Sequence, residues 1–144
     1  MIEATLIIKN KVLAYIFRKT GEKNEVLVFD HRNDPEVNPQ VPAGTVDTDE
    51  APEKAVLREI LEESGLIFSK HNQYLGCFEY FRDDIQELHQ RHVYTFVSEN
   101  LPDKWEHLVS GGGEDQGLIF DYYWLKIEDA KNNLVIGLGE YLYV

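Results

Sequence analysis

One cysteine, Cys77, stands in 144 residues. That scarcity excludes an intramolecular disulfide and a thiolate zinc cluster, and it fits a reducing compartment such as the cytoplasm. Also missing are an apolar run of 18 residues and a leader with an apolar stretch and a small-residue cleavage site. The expectation is a cytoplasmic protein with no membrane partner. Basic charge is scarce as well, with 14 Lys and Arg against 26 Asp and Glu and a formal net charge of −12. Such a chain repels nucleic-acid backbones and shows no basic stripe, so no stable nucleic-acid partner is expected. A small phosphorylated ligand is still allowed, because bound divalent ions reverse the local sign. Composition leaves open whether the chain forms a homodimer.

At 43% hydrophobic content the chain can enclose one substantial core, and residues 1–144 are expected to form a single domain. Its most informative stretch is residues 44–66, GTVDTDEAPEKAVLREILEESGL. Leu57, Ile60, Leu61 and Ser64 recur at i, i+3, i+4 and i+7, the spacing of an amphipathic helix. Pro52 suits the first helical position and Gly65 the left-handed residue just past the end. On this phase Glu59, Glu62 and Glu63 share the face opposite Leu57, Ile60 and Leu61. Like charges at these spacings repel, no lysine lies beside them, and they crowd the negative end of the helix dipole. A hard divalent cation with oxygen ligands, magnesium in particular, would stabilise such a cluster; a solvated acidic surface is the plainer alternative.

These residues resemble the Nudix box, G-x5-E-x7-R-E-U-x-E-E-x-G-U with U aliphatic. Gly44, Glu50, Arg58, Glu59, Ile60, Glu62, Glu63, Gly65 and Leu66 fill its fixed positions. The resemblance implies a mixed-sheet α/β/α sandwich and hydrolysis of a nucleoside diphosphate linked to another moiety, with Mg2+ or Mn2+ as cofactor. It implies Glu59 and Glu63 as metal ligands, with Glu62 as a third ligand or the base and the backbone carbonyl of Ala43 contributing. Arg58 and Glu50 are then orienting partners, since an arginine fork can fix a carboxylate in one rotamer. Gly44 and Gly65 shape the loop and the helix end. Order along the chain also points to Glu114, with Asp115 as substitute, as base or further ligand from the loop before the last strand.

Elsewhere, residues 11–17 and 25–29 read as a hairpin, and 73–81 with 92–97 as a second antiparallel pair joined by a long polar connection over 82–91. Residues 118–127 read as a further strand, and 127–133 are helix-prone. The glycines at 137 and 139 argue for a broken or extended end rather than a closing helix. Residues 33–40 and the glycine run at 110–117 read as loops; the latter lacks the Gly-Lys-Ser/Thr ending of a phosphate loop. Cys77 reads as a small buried residue, and His89 and His92 as ordinary strand histidines rather than a metal pair. Arg18 and Arg32 lie near the hairpin ends, where they can reach a phosphate, and Trp105 is a candidate base-stacking ring. A free nucleoside di- or triphosphate is the first choice of substrate, ahead of an RNA 5′ end. A nucleotide-binding module without activity is the alternative from a different class.

Overall fold

The computed structural model describes residues 5–142 except 22 and 136. Its elements in chain order are β1 (Ile7–Thr20), β2 (Lys23–His31), β3 (Ala43–Thr45), α1 (Pro52–Ser64), β4 (Gln73–Arg82), β5 (Glu87–Val97), β6 (Trp105–Leu108), β7 (Ile119–Lys126) and α2 (Ile127–Asn133). The strands form one mixed sheet in the order β4-β5-β1-β2-β7-β6, with β3 pairing alongside β1. Among the described residues only β1 and β5 run parallel.

The long β1 strand organises both layers, because alternate residues of a strand face opposite ways. Val12, Ala14 and Ile16 pack with Ala55, Val56 and Ile60 of α1. Leu13 and Tyr15 pack with Ile127 and Ala130 of α2. The result is the expected α/β/α sandwich. On the side of α2, Tyr15 donates from its hydroxyl to the carbonyl of Leu138, tying the segment after α2 to the sheet centre. Among the described residues past α2 the chain is held by such contacts and by turns, with no further helix, in line with the two glycines.

Four expectations need correction. Strands β4 and β5 are longer than their apolar runs, so only residues 83–86 connect them and the long connection does not exist. Cross-strand partners extend these strands into polar sequence, such as Tyr80 opposite His89 and Arg82 opposite Glu87. Residues 105–108 form a strand that alternation over four residues was too short to announce. Cys77 is exposed, because β4 is an edge strand reaching past the cover of α1. Finally, α1 sits at a different rotation from the one its leucines suggest. Its buried residues are Ala55, Val56, Ile60, Glu63 and Ser64, whereas Leu61 is 46% exposed.

Candidate active site

That rotation defines the site. Glu63 occupies the buried stripe one heptad after Val56 and is only 6% exposed, so a carboxylate enters the protein at the end of the helix. Burial pushes its pKa well above the ordinary glutamate value, its hydrogen bond and charge interaction with Glu59 push further, and the charge of Asp115 adds to this. The backbone N–H of Ala43 donates to it and acts in the opposite direction. Glu59 is raised as well, first by burial. Without a cation these two carboxyls favour holding a proton between them.

Around this pair lies a cavity of about 430 Å³. Its walls come from β3 and the following loop (Ala43, Gly44, Thr45, Asp47), from α1 (Arg58, Glu59, Glu62, Glu63), from Lys11 of β1 and from residues 109–116. The box acids and the loop acids Glu114 and Asp115, separated by some 50 positions of sequence, thus face one space.

Arg58 is the hub. Its Nε and Nη2 grip Glu50 in a two-pronged pair at 2.8 and 2.9 Å, and Nη2 also donates to the Thr45 carbonyl at 3.0 Å. Its Nη1 donates to Glu59 at 3.0 Å and Glu62 at 3.2 Å. The expected pairing of Arg58 with Glu50 is present. The reading that nothing local offsets the acidic cluster is corrected, because Arg58 spans two of its three members. Held this way, the acids do not converge: among the described residues no three His, Cys, Asp or Glu side chains stand ready around one point.

The donor chemistry nevertheless fits a hard divalent ion. The acids that line the cavity, Glu59, Glu62, Glu63, Glu114 and Asp115, are oxygen donors, and among the described residues Glu63 has no Lys or Arg ion-pair partner despite its burial. Gly44 also leaves the necessary room, since a Cβ there would lie closer to the Glu59 carboxylate than real Cβ atoms approach anything. Its backbone is not left-handed, so Gly44→Ala is expected to fold with a melting temperature within a few degrees of wild type while weakening divalent-ion binding on the order of 10-fold. Titration of the variant with Mn2+ decides the matter; unchanged affinity would show that Glu59 needs no such room.

The two loop acids are electrostatically distinct. Asp115 acts on Glu63, whereas Glu114 acts on Lys11. Arg18, Arg32 and Trp105 lie outside this cavity. Arg18 is held by Glu25 and Asp103 and lies over the Trp124 ring, and Arg32 is paired with Asp121 and Glu106. Trp105 stacks on Tyr122 at 5.0 Å and donates to the Ser64 carbonyl.

Sequence reasoning missed Lys11 in the wall of the cavity and the basic residues next to it on the sheet. Parallel pairing sets Lys9 beside His89 and Lys11 beside Arg91, on the sheet face that carries α2. Burial lowers the pKa of Lys11, with Lys9 and Arg91 adding to the effect. Arg91 donates to the Gly137 carbonyl and the Tyr80 hydroxyl, yet its buried Nε has no partner among the described residues. His89 and His92 point to opposite faces, as positions three apart on a strand must, and His89 is held by Tyr80 and Glu87. Only the register of β1 against β5 brings these cations together, so no local motif could announce them.

Comparison with known proteins follows the same lines. A model of the NUDIX domain matches residues 9–142. Mouse diphosphoinositol polyphosphate phosphohydrolase 3-alpha is 32% identical over 122 residues, covering 85% of this chain and 66% of that protein. The chain therefore spans just under two thirds of that relative's length. Among solved structures, the NUDIX domain of Shewanella oneidensis NrtR complexed with ADP ribose superposes with a TM-score of 0.68 at 17% identity, covering 97% of this chain and 86% of that one. The C. elegans Ap4A hydrolase in a binary complex gives 0.58 at 20% identity, with 92% of each chain covered.

Proposed function

The chain belongs to the Nudix family, and we propose that it acts as a single-domain, divalent-ion-dependent hydrolase of a pyrophosphate bond in a small, multiply phosphorylated molecule. The observation that carries this reading is that the buried acid pocket holds a lysine, Lys11, in its own wall. An acid pocket alone would repel a polyphosphate. Lys11 can bind a phosphate that does not react, while the acids serve the one that does. Nucleoside polyphosphates, their derivatives and diphosphoinositol polyphosphates share that chemistry, and the names of the relatives and neighbours are consistent with it.

Glu59, Glu62, Glu63 and the Ala43 carbonyl would hold Mg2+ or Mn2+. Once bound, the ion lowers the pKa of coordinated water and neutralises charge developing on the phosphate oxygens. The protein's own contributions are positional. Arg58 keeps Glu50 and the Thr45 carbonyl fixed, so the loop before α1 stays against the helix. Lys11, hydrogen-bonded to Thr45 at 2.6 Å, stands where an unreacting phosphate would lie. Glu114, with Asp115 as the substitute, is assigned as the group that takes the proton from the attacking water, because both loop acids line the cavity with the box acids.

The test is a screen with Mg2+ or Mn2+ of nucleoside di- and triphosphates, nucleotide sugars, dinucleoside polyphosphates, diphosphoinositol polyphosphates and capped or 5′-triphosphate RNA. Turnover is expected on a small molecule with three or more phosphates. Lys11→Ala should raise KM roughly 10-fold at nearly constant kcat, the scale of one charged phosphate contact. Glu114→Ala should lower kcat more than Asp115→Ala. Tight binding of a substrate without hydrolysis would instead identify a binding module.

A further inference from the structure

The last turn of a helix leaves its carbonyls without internal partners, and in α1 those carbonyls belong to the residues that carry the chemistry. Every one of them is accounted for. Ser64 Oγ donates to the Ile60 carbonyl at 2.6 Å, and the Gly65 N–H donates to Leu61 at 2.9 Å. The Glu62 carbonyl accepts from His107 Nε2 at 3.0 Å and from the Ser110 N–H at 3.1 Å. The Glu63 carbonyl accepts from the Tyr122 hydroxyl at 2.9 Å, and the Ser64 carbonyl from Trp105 Nε1 at 3.1 Å. Since a carbonyl only accepts, His107 carries its proton on Nε2.

Three aromatic side chains from β6 and β7 therefore hold the backbone of the acid-bearing turn at three successive residues. Trp105 and His107 are two apart on β6 and share a face; Trp105 lies opposite Tyr122 in register, and the two rings stack at an interplanar angle of 12°. The ring of His107 also rests on Gly65, where a Cβ would meet its Nδ1 at 3.0 Å. Gly65 thus has two duties, the left-handed turn at φ 79° and room for His107. The last turn contains no basic residue, so these N–H and O–H dipoles supply what charge complementarity would otherwise supply at the negative helix end. Beyond His107, Ser110 brings in the loop, and the Glu62 side chain lies against Gly111, leaving no space for a Cβ there.

We propose that Trp105 and His107 are positioning residues for the divalent-ion site: they fix the backbone of Glu62, Glu63 and Ser64, and through it the aim of the two carboxylates. The proposal rests on the reading of Glu62 and Glu63 as ion ligands. It also gives β6 its purpose, a four-residue edge strand whose inward side chains end on the helix. A ligand set has to be held within about 0.5 Å, and a fraying last turn would not do so.

The experiment measures Mn2+ binding to the substrate-free protein by electron paramagnetic resonance, with melting temperature and, at saturating Mn2+, kcat alongside. Trp105→Phe keeps the ring and removes the donor. His107→Leu removes the donor, and His107→Gln keeps an N–H. Trp105→Phe and His107→Leu should each weaken Mn2+ binding on the order of 10-fold, while kcat at saturating Mn2+ falls less than 3-fold and His107→Gln recovers most of the affinity. Mn2+ affinity within 2-fold of wild type in both variants overturns the proposal, as does an equal loss in His107→Leu and His107→Gln. Glu63→Gln separates the two levels. If it leaves Mn2+ affinity intact, the ligand assignment fails; if it alone weakens binding, the ligands stand and the positioning role falls.

Discussion

Glu63→Gln is expected to lower divalent-ion-dependent hydrolysis by roughly 10²–10⁴-fold, the scale of removing a group that organises transition-state charge or proton transfer, and to make the metal-free protein harder to unfold at neutral pH. Both effects arise from the same burial. With the ion bound, the Glu63 carboxylate is neutralised where it sits; without the ion, it is a buried acid beside another acid and near Asp115. Glutamine keeps an oxygen for the Ala43 N–H and gains an amide that donates to Glu59, so the variant leaves no polar group stranded. The pH dependence has a definite sign. Glu59 and Glu63 have folded-state pKa values raised above the ordinary 4.5, so their contribution to stability is complete below that value and is lost as pH rises through the folded values. Glu50 runs the other way: its pKa is lowered, chiefly by Arg58, and its contribution is already complete above 4.5. Thermal unfolding in a chelator should therefore show the metal-free wild type weakening as pH climbs from about 4.5, with the advantage of Glu63→Gln growing over the same interval. Identical pH profiles for the two proteins would mean that Glu63 is not the buried acid of this site.

How much of this was legible before the fold was known differs from residue to residue. The limits of α1 were written in Pro52 and Gly65, because each has a backbone restriction that only a helix end satisfies. The rotation of α1 was not, because Leu57 and Leu61 outweigh Ala55 and Val56 on any hydrophobicity scale, while small residues are what let a helix lie close to a sheet. The leucine phase consequently sets Glu63 on the face opposite the core, although it enters the core. Strand β6 was illegible because Trp105, Glu106, His107 and Leu108 are too few to show alternation. Lys11 and Arg91 are separated by about 80 positions and meet only through the β1–β5 register. The second role of Arg58 is a matter of reach: a long side chain off the line of the acids can still lie across two of them.

Arg58 supports the other large expected effect. Arg58→Lys preserves charge, but an ammonium cannot grip Glu50 with two parallel bonds and at the same time reach the Thr45 carbonyl, Glu59 and Glu62. The structure uses the guanidinium in all of these ways, with five contacts at 3.2 Å or less. The variant should lose about 2 kcal/mol of stability, near the scale of one charge-assisted pair after discounting for partial exposure. Divalent-ion affinity should drop by about 10–100-fold, as is typical when a residue orienting metal ligands is lost. These two losses should respond differently to a second change. Glu50→Gln in the wild type removes the charge that Arg58 grips but leaves Glu59 and Glu62 intact, so it should cost stability while leaving ion affinity closer to wild type. In the Arg58→Lys background, where the grip is already gone, the same change should cost little more. A double-mutant cycle measured by chemical denaturation and Mn2+ titration would show that non-additivity in stability. Fully additive losses would mean that Arg58 and Glu50 act separately, and the loop before α1 would then be held by something other than their pair.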